Sequence, residues 1–354
     1  MQALEPLDPH RGAVTIALET VGALDQAFLI RHPWAPEFVY LAGQCNGQNV
    51  GGGGVSLGEA LFRCAGESAE ASVDPKDLPE DAASPHPGLV GRWPESERRI
   101  LAVHTMNGAK ISLPGRAFVG DRAPGHAPAS LGFGAALNQD DADLSATLEL
   151  IERDAAHRWW TGETLPIAVP LETLAGPTGA LPALRGGHTG RVAHALALPS
   201  PTDVPVAAVF STDRDGRGLA VGLKSALTWG RAVRGAMIEM LQMELALSLS
   251  RDRAGAPLSG DSQTRALARL DIAEFDAFRG VCGAFPPAPA LSGFDSLASH
   301  LSSKRMDLYM TRFAQSGGDR TFRVTKAACP HLYPMPGGPR TAKAGAPGHE
   351  TELM

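Results

Sequence analysis

Four cysteines, Cys45, Cys64, Cys282 and Cys329, stand far apart in 354 residues with no C-x-x-C pair among them. That spacing speaks against a disulfide framework and fits a reducing cytosol. Long apolar runs are missing as well. No stretch approaches the roughly 20 apolar residues of a spanning helix. The first thirty residues lack the basic-then-apolar order of a signal peptide, so a soluble, cytoplasmic protein is expected. Positive charge is not in excess: 32 Lys+Arg against 38 Asp+Glu leave a formal net charge of -6. Nothing in that balance attracts nucleic acid or an anionic membrane. The eleven histidines show neither H-x-x-x-H nor H-E-x-x-H spacing, which leaves a zinc site without its usual sign. No G-x-S-x-G elbow, Walker loop or dinucleotide G-x-G-x-x-G in its proper setting appears, and no general base is identifiable.

What is present is apolar material for one large domain or two moderate ones, at 44% hydrophobic and 20% charged residues. The 40 Gly and 28 Pro concentrate in breaks. Segments 74–97, 114–128, 253–264 and 285–293, and the end from Met335, read as surface loops and a loose tail. Between them, residues 38–41, 100–104, 204–210 and 321–325 read as strands, and residues 57–72, 141–160 and 229–249 as helices. Their irregular interleaving predicts an α+β fold. Gly51 to Gly54, Gly132 with Gly134, and Gly216 to Gly222 read as loops leading into the helices; such loops can aim N–H groups at phosphates, though a flexible connection is the plainer reading.

The three helices share a layout when aligned on Ala60, Ala142 and Ala232. Seven residues on stand Glu67, Glu149 and Glu239, and ten residues on stand Glu70, Glu152 and Gln242. Offsets of 0, 3, 7, 10 and 14 fall on one helical stripe, so small residues flank the acids on one face. Leu144, Leu148 and Ile151, and Met237, Leu241 and Leu245, point toward a core elsewhere. A single E-x-x-E pair is most simply a solvated face; recurrence in one register on three helices points to a shared acidic site for a hard cation such as Mg²⁺. Arg153 is placed either to pair with Glu149 or to reach a phosphate. Lys224, Arg231 and Arg234 are further candidate phosphate contacts, Asp154 a local ion-pair partner, and Trp159 and Trp160 the edge of a core.

These residues resemble the YcaO family. Ser130-Leu131-Gly132-Phe133-Gly134-Ala135, then Ala142 and Glu149-Leu150-Ile151-Glu152-Arg153-Asp154, is similar to the family's S-x-G-x-A-x-G followed by E-x-x-E-R-D. Gly66-Glu67-Ser68-Ala69-Glu70 resembles its G-E-x-x-E helix, and Glu239-Met240-Leu241-Gln242 its E-x-x-Q. Asp8-Pro9-His10-Arg11-Gly12 and residues 329–336 resemble its opening and closing segments. Ala71 and Ala226 stand where the family commonly carries an arginine and a histidine, and Pro334-Met335-Pro336 replaces a longer proline-rich end.

The resemblance implies a YcaO fold of mixed and antiparallel sheets whose helices carry an ATP–Mg²⁺ site, in one domain over residues 1–336 with a flexible tail at 337–354. It assigns Glu67, Glu70, Glu149 and Glu152 to Mg²⁺, and Ser130, Arg153, Glu239, Gln242 and Arg11 to ATP. The implied activity is an ATP-dependent cyclodehydratase that turns Cys, Ser or Thr of a ribosomal precursor peptide into azolines. A separate leader-binding protein, an FMN-dependent azoline dehydrogenase and a homodimer are the implied partners. Backbone thioamidation and a non-catalytic nucleotide-binding scaffold are the alternatives.

Overall fold

The computed structural model describes residues 9–74, 83–118, 126–170, 181–251, 280–313 and 321–332, with positions 76, 78, 80, 272 and 278 between them; for residues 9–12, 250 and 251 it describes the main chain alone. Asp8, the loop at 253–264, the closing residues 333–336 and the tail at 337–354 lie outside the described residues, as does the side chain of Arg11.

Helix α1 (Pro9–Gly22) leads into the meander β1 (Gln26–His32), β2 (Ala35–Cys45) and β3 (Gln48–Gly54), then α2 (Leu57–Ala71). Strands β4 (Arg99–His104), β5 (Lys110–Pro114) and β6 (Phe133–Ala136) precede α3 (Gln139–Trp160). Next come β7 (Ile167–Val169), the short α4 (Leu181–Leu184), β8 (Arg191–Leu198), β9 (Val206–Asp213), β10 (Ala220–Ser225) and α5 (Trp229–Arg251). The last described elements are β11 (Val281–Cys282), α6 (Phe294–Ser303), β12 (Tyr309–Phe313) and β13 (Arg323–Ala328). The strands form three sheets, ordered β1-β2-β3, β10-β9-β8-β7-β11 and β5-β4-β12-β13-β6. Only β11 beside β7 is a parallel pairing among those described. The fold is α+β with mixed and antiparallel sheets, as expected.

Strands β3, β6 and β10 each occupy an edge of a different sheet, and each runs directly into the helix that packs on it: α2, α3 and α5. Local chemistry starts two of these helices. The Ser56 hydroxyl accepts the Glu59 N–H ahead of α2, and the Asn138 amide oxygen accepts the Asp141 N–H ahead of α3. That asparagine cap starts α3 two residues before the expected Asp141, with Asp140 and Asp141 in the first turn where the helix dipole favours them. Likewise, the strands expected at 204–210 and 321–325 lie slightly further along, at Val206–Asp213 and Arg323–Ala328.

The glycines correct the sequence reading. Gly51 to Gly54 form no phosphate loop; they lie in β3. A Cβ on Gly52 would collide with the backbone of α2 at Ala60 and Cys64, and one on Gly134 with the backbone of α3 at Ala142 and Ala146. Gly222 on β10 meets α5 in the same way, one turn further along, at Ala236 and Met240. Glycine is needed because strand and helix backbones touch. Gly52→Ala is therefore expected to lower stability by about 1–3 kcal/mol through overpacking; thermal unfolding measures it, and an unchanged melting temperature would contradict this role.

The core holds a buried polar network around Glu244. Glu244 on α5 is fully buried, and its Oε1 accepts from Arg185 (2.6 Å) and from the Ser211 hydroxyl, with Arg191 Nε at 3.1 Å. The other oxygen stands 3.8 Å from Nε2 of His32, too far for a hydrogen bond. Burial, with a further push from the Arg185 and Arg191 charges, takes His32 from 6.5 down to about 4. The two guanidiniums engage only Oε1 of Glu244 and leave Oε2 without a hydrogen-bond partner among the described residues, while burial and their positive charge keep the imidazole neutral beside it. Between these two values the unfolded chain binds a proton that the folded chain does not. Stability is thus complete above 6.5 and lost as pH falls toward 4, by at most about 3 kcal/mol. Urea unfolding between about pH 7 and about pH 4.5 checks this: wild type should lose more than a His32→Phe variant, and parallel losses would contradict it.

Candidate active site

The helix faces that share a register do converge. Ala60, Ala142 and Ala232 are all fully buried. On α2 and α5 the first acid of the face secures the strand that leads into its own helix: Gly51 N–H donates to Glu67 Oε2 (2.8 Å) and Leu223 N–H to Glu239 Oε2 (3.3 Å). The second position reaches the strand of the next unit. Glu70 on α2 accepts from Ala135 of β6, and Glu152 on α3 accepts from Ser225 of β10 (3.0 Å). Gln242 on α5 lies against Gly53 of β3. Helix α2 leans on β6, α3 on β10 and α5 on β3, so the three units close a ring. Edge strands that have N–H groups to spare thereby orient the acids of the ring.

Cations sit between the acids. Lys224 Nζ is 3.4 Å from Glu239 Oε1 and 3.6 Å from Glu152 Oε2. Arg153 takes the internal pairing open to it, with Nε 3.5 Å from Glu149 and an NH₂ group 3.7 Å from Glu152. Glu67 is open to solvent, while Glu70, Glu149 and Glu239 are half-buried. Protein nevertheless surrounds all four, which describes a groove. Desolvation in that groove raises Glu67 to about 7, against the Gly51 N–H and with the charge of Glu239 adding to it. Desolvation and then Glu149 and Glu67 raise Glu70 to about 8. Glu149 and Glu239 are raised by desolvation, and Glu152 adds to both. Lys224 is raised mainly by Glu152. Acids of different helices therefore feel one another directly.

A groove that makes carboxylates costly gains when a cation enters it, and oxygen donors suit a hard divalent ion. Among the described residues, no three carboxylate, histidine or cysteine side chains form a complete ligand set. Mg²⁺ does not require one, because it is commonly held by one or two carboxylates with water and phosphate oxygens. The donor set fits Mg²⁺ arriving with a phosphate ligand.

Other expected residues lie apart from the ring or at its rim. Ser130 is exposed in the turn before β6. Arg234 is tied by both of its terminal nitrogens to Glu59 (2.6 and 2.7 Å), and Arg231 is exposed. Asp154 pairs with Arg158 at 2.9 Å, and Trp159 with Trp160 packs around Phe278. Two cations escaped the sequence reading. The charge of Arg63 on α2 acts on both Glu67 and Glu239. Lys326 is fully buried on β13, and its charge acts on Glu149. A lone charged residue in the otherwise uncharged run Val324–Ala328 was the available signal.

No curated protein matches the chain by sequence. A family model described as YcaO cyclodehydratase, ATP- and Mg²⁺-binding, matches residues 58–333, most of the chain. The chain belongs to the YcaO family. Among solved structures, this YcaO protein is similar to a heterocyclase in complex with substrate and cofactor, with a TM-score of 0.72 at 17% identity over 93% of this chain. It spans only 54% of that heterocyclase's length. The YcaO protein of Methanopyrus kandleri, bound with AMPPCP and Mg²⁺, gives a TM-score of 0.67 at 16% identity, covering 92% of this chain and 91% of that one. The E. coli microcin synthetase McbBCD complex gives 0.64 at 12% identity, with 86% and 88% covered. At these identities the likeness is one of fold. No helix among the described residues is long and apolar enough to cross a membrane.

Proposed function

We propose that this YcaO protein is an ATP-dependent cyclodehydratase that converts Cys, Ser or Thr residues of a ribosomally made precursor peptide to thiazolines or oxazolines. The observation that supports this most is the closed ring of acids from three helices with Lys224 and Arg153 set among them. Glu67, Glu70, Glu149 and Glu152 would hold Mg²⁺, which when bound supplies charge neutralisation for the ATP phosphates. Lys224 and Arg153, now paired with carboxylates, are positioned to turn to phosphate oxygens. Ser130, Glu239, Gln242 and Arg11 complete the nucleotide contacts. Held this way, ATP serves as a reagent: the Cys, Ser or Thr side chain adds to the preceding backbone carbonyl, and the carbonyl oxygen takes the terminal phosphoryl group. That oxygen leaves as phosphate, with ADP as the second product, and the azoline ring remains. The chain's part is positioning and electrostatic stabilisation.

The substrate is a peptide, so a separate leader-binding protein belongs to the complex, and an FMN-dependent dehydrogenase would oxidise azolines to azoles. A homodimer and a cytoplasmic setting complete the proposal. Mass spectrometry of a precursor co-expressed with this protein and its partner tests it. Loss of one water per modified residue is expected. Exchange of oxygen for sulfur would instead identify a thioamidation enzyme, and an unmodified peptide would favour a nucleotide-binding scaffold.

A further inference from the structure

Lys326 carries an ammonium that is fully buried, yet its hydrogen bonds go to main-chain carbonyls and not to a carboxylate. Its Nζ donates to Ala129 O (2.7 Å) and to Leu131 O, the two carbonyls on either side of Ser130. Three aromatic rings enclose it, with centroids 4.7 Å away at Phe133, 5.3 Å at Trp93 and 5.9 Å at Phe118. An apolar residue would pack such a cage without the desolvation cost of a charge.

The rest of the turn shows what the charge is for. Pro128 O accepts the Trp93 indole N–H (3.4 Å) and the Leu131 N–H (3.2 Å), and Ser130 O accepts the Phe133 N–H (3.3 Å). Gly132, at φ +76°, turns its carbonyl onto the Ala327 N–H of β13 (2.7 Å). All five carbonyls from 128 to 132 are thus held by the protein, while Ser130 stays exposed at the crest. Burial pulls Lys326 down to about 7 against the charges of Glu149 and Glu70, whose action on it places the clamp next to the acid ring.

We propose that Lys326 is a positioning residue for the nucleotide site: its caged ammonium fixes the Ala129–Leu131 turn and so sets where Ser130 meets the phosphates of ATP. This rests on the nucleotide reading above. Neither motif around Ser130 nor the register of the three helices contains Lys326; strand pairing of β13 with β6, which sets Lys326 beside Phe133, brings it there.

The test is calorimetry of the full chain with a non-hydrolysable ATP analogue and Mg²⁺, on wild type, Ser130→Ala, Lys326→Met and the double variant. Lys326→Met is expected to weaken analogue binding at least about tenfold, the effect of losing charge-assisted hydrogen bonds. The double variant should bind no more weakly than Lys326→Met, because both changes act through one contact. Should Lys326→Met not fold, Trp93→Phe removes the bond to Pro128 and is expected to weaken binding in the same direction. Unchanged affinity in the folded variants, an inert Ser130→Ala, or losses that simply add would overturn the proposal. Failure of wild type to bind the analogue at all would instead overturn the nucleotide reading itself.

Discussion

Glu152→Gln is expected to lower ATP-dependent peptide modification by about 10²–10³-fold while leaving the unfolding temperature nearly unchanged. Glu152 is 1% exposed, the most enclosed of the four acids assigned to Mg²⁺, and it lies where α3, β10, Lys224 and Arg153 meet. A glutamine keeps the shape and still accepts the Ser225 N–H through its amide oxygen. What it removes is the charge, and with it the attraction for Mg²⁺ and the counter-charge to Lys224. Lys224 retains Glu239 at 3.4 Å, so the fold keeps an ion pair at this point. Steady-state turnover with precursor peptide and ATP, beside a thermal melt, separates the two effects. Near-normal turnover would remove Glu152 from the metal site.

Glu244→Ala is expected to have the largest effect on stability, a loss of about 3–5 kcal/mol. The deletion leaves Arg185 and Arg191, 5% and 7% exposed, facing each other without their shared carboxylate. Buried guanidiniums cannot shed their protons, so the cost is that of uncompensated charge. The network joins β1 through His32, β8 through Arg191, β9 through Ser211 and α5 through Glu244 itself, and so ties two of the three sheets to one helix. Glu244→Gln, which keeps the shape and one acceptor, should lose less. Denaturant unfolding measures both, and a loss below about 1 kcal/mol for Glu244→Ala would contradict this reading.

The acid ring was legible in the sequence because helical spacing is a local property. Offsets of seven and ten from an alanine mark one stripe on any helix, and three helices carrying the same stripe announced a shared site. The closure of the ring was less visible. That Glu70 meets Ala135, Glu152 meets Ser225 and Gln242 meets Gly53 depends on which edge strand each helix leans against, which spacing does not encode. The glycine run was misread for a related reason. Composition marks Gly51–Gly54 as a break, whereas the constraint on Gly52 is contact with a helix that follows it in the chain. Lys326 and Glu244 depend on pairing between distant strands and sheets, and their partners lie roughly thirty to two hundred residues away. The two-residue parallel pairing of β11 with β7 is too short to have a sequence pattern of its own.

The acids of α2 and α3 are proposed to bind ATP through Mg²⁺. Calorimetry of the full chain with a non-hydrolysable ATP analogue, run with and without Mg²⁺ on wild type and on the Glu149→Gln, Glu152→Gln double variant, tests it most directly. Uptake is expected for wild type only when Mg²⁺ is present, and none for the variant. Uptake that ignores Mg²⁺, or that survives the loss of both carboxylates, would contradict it.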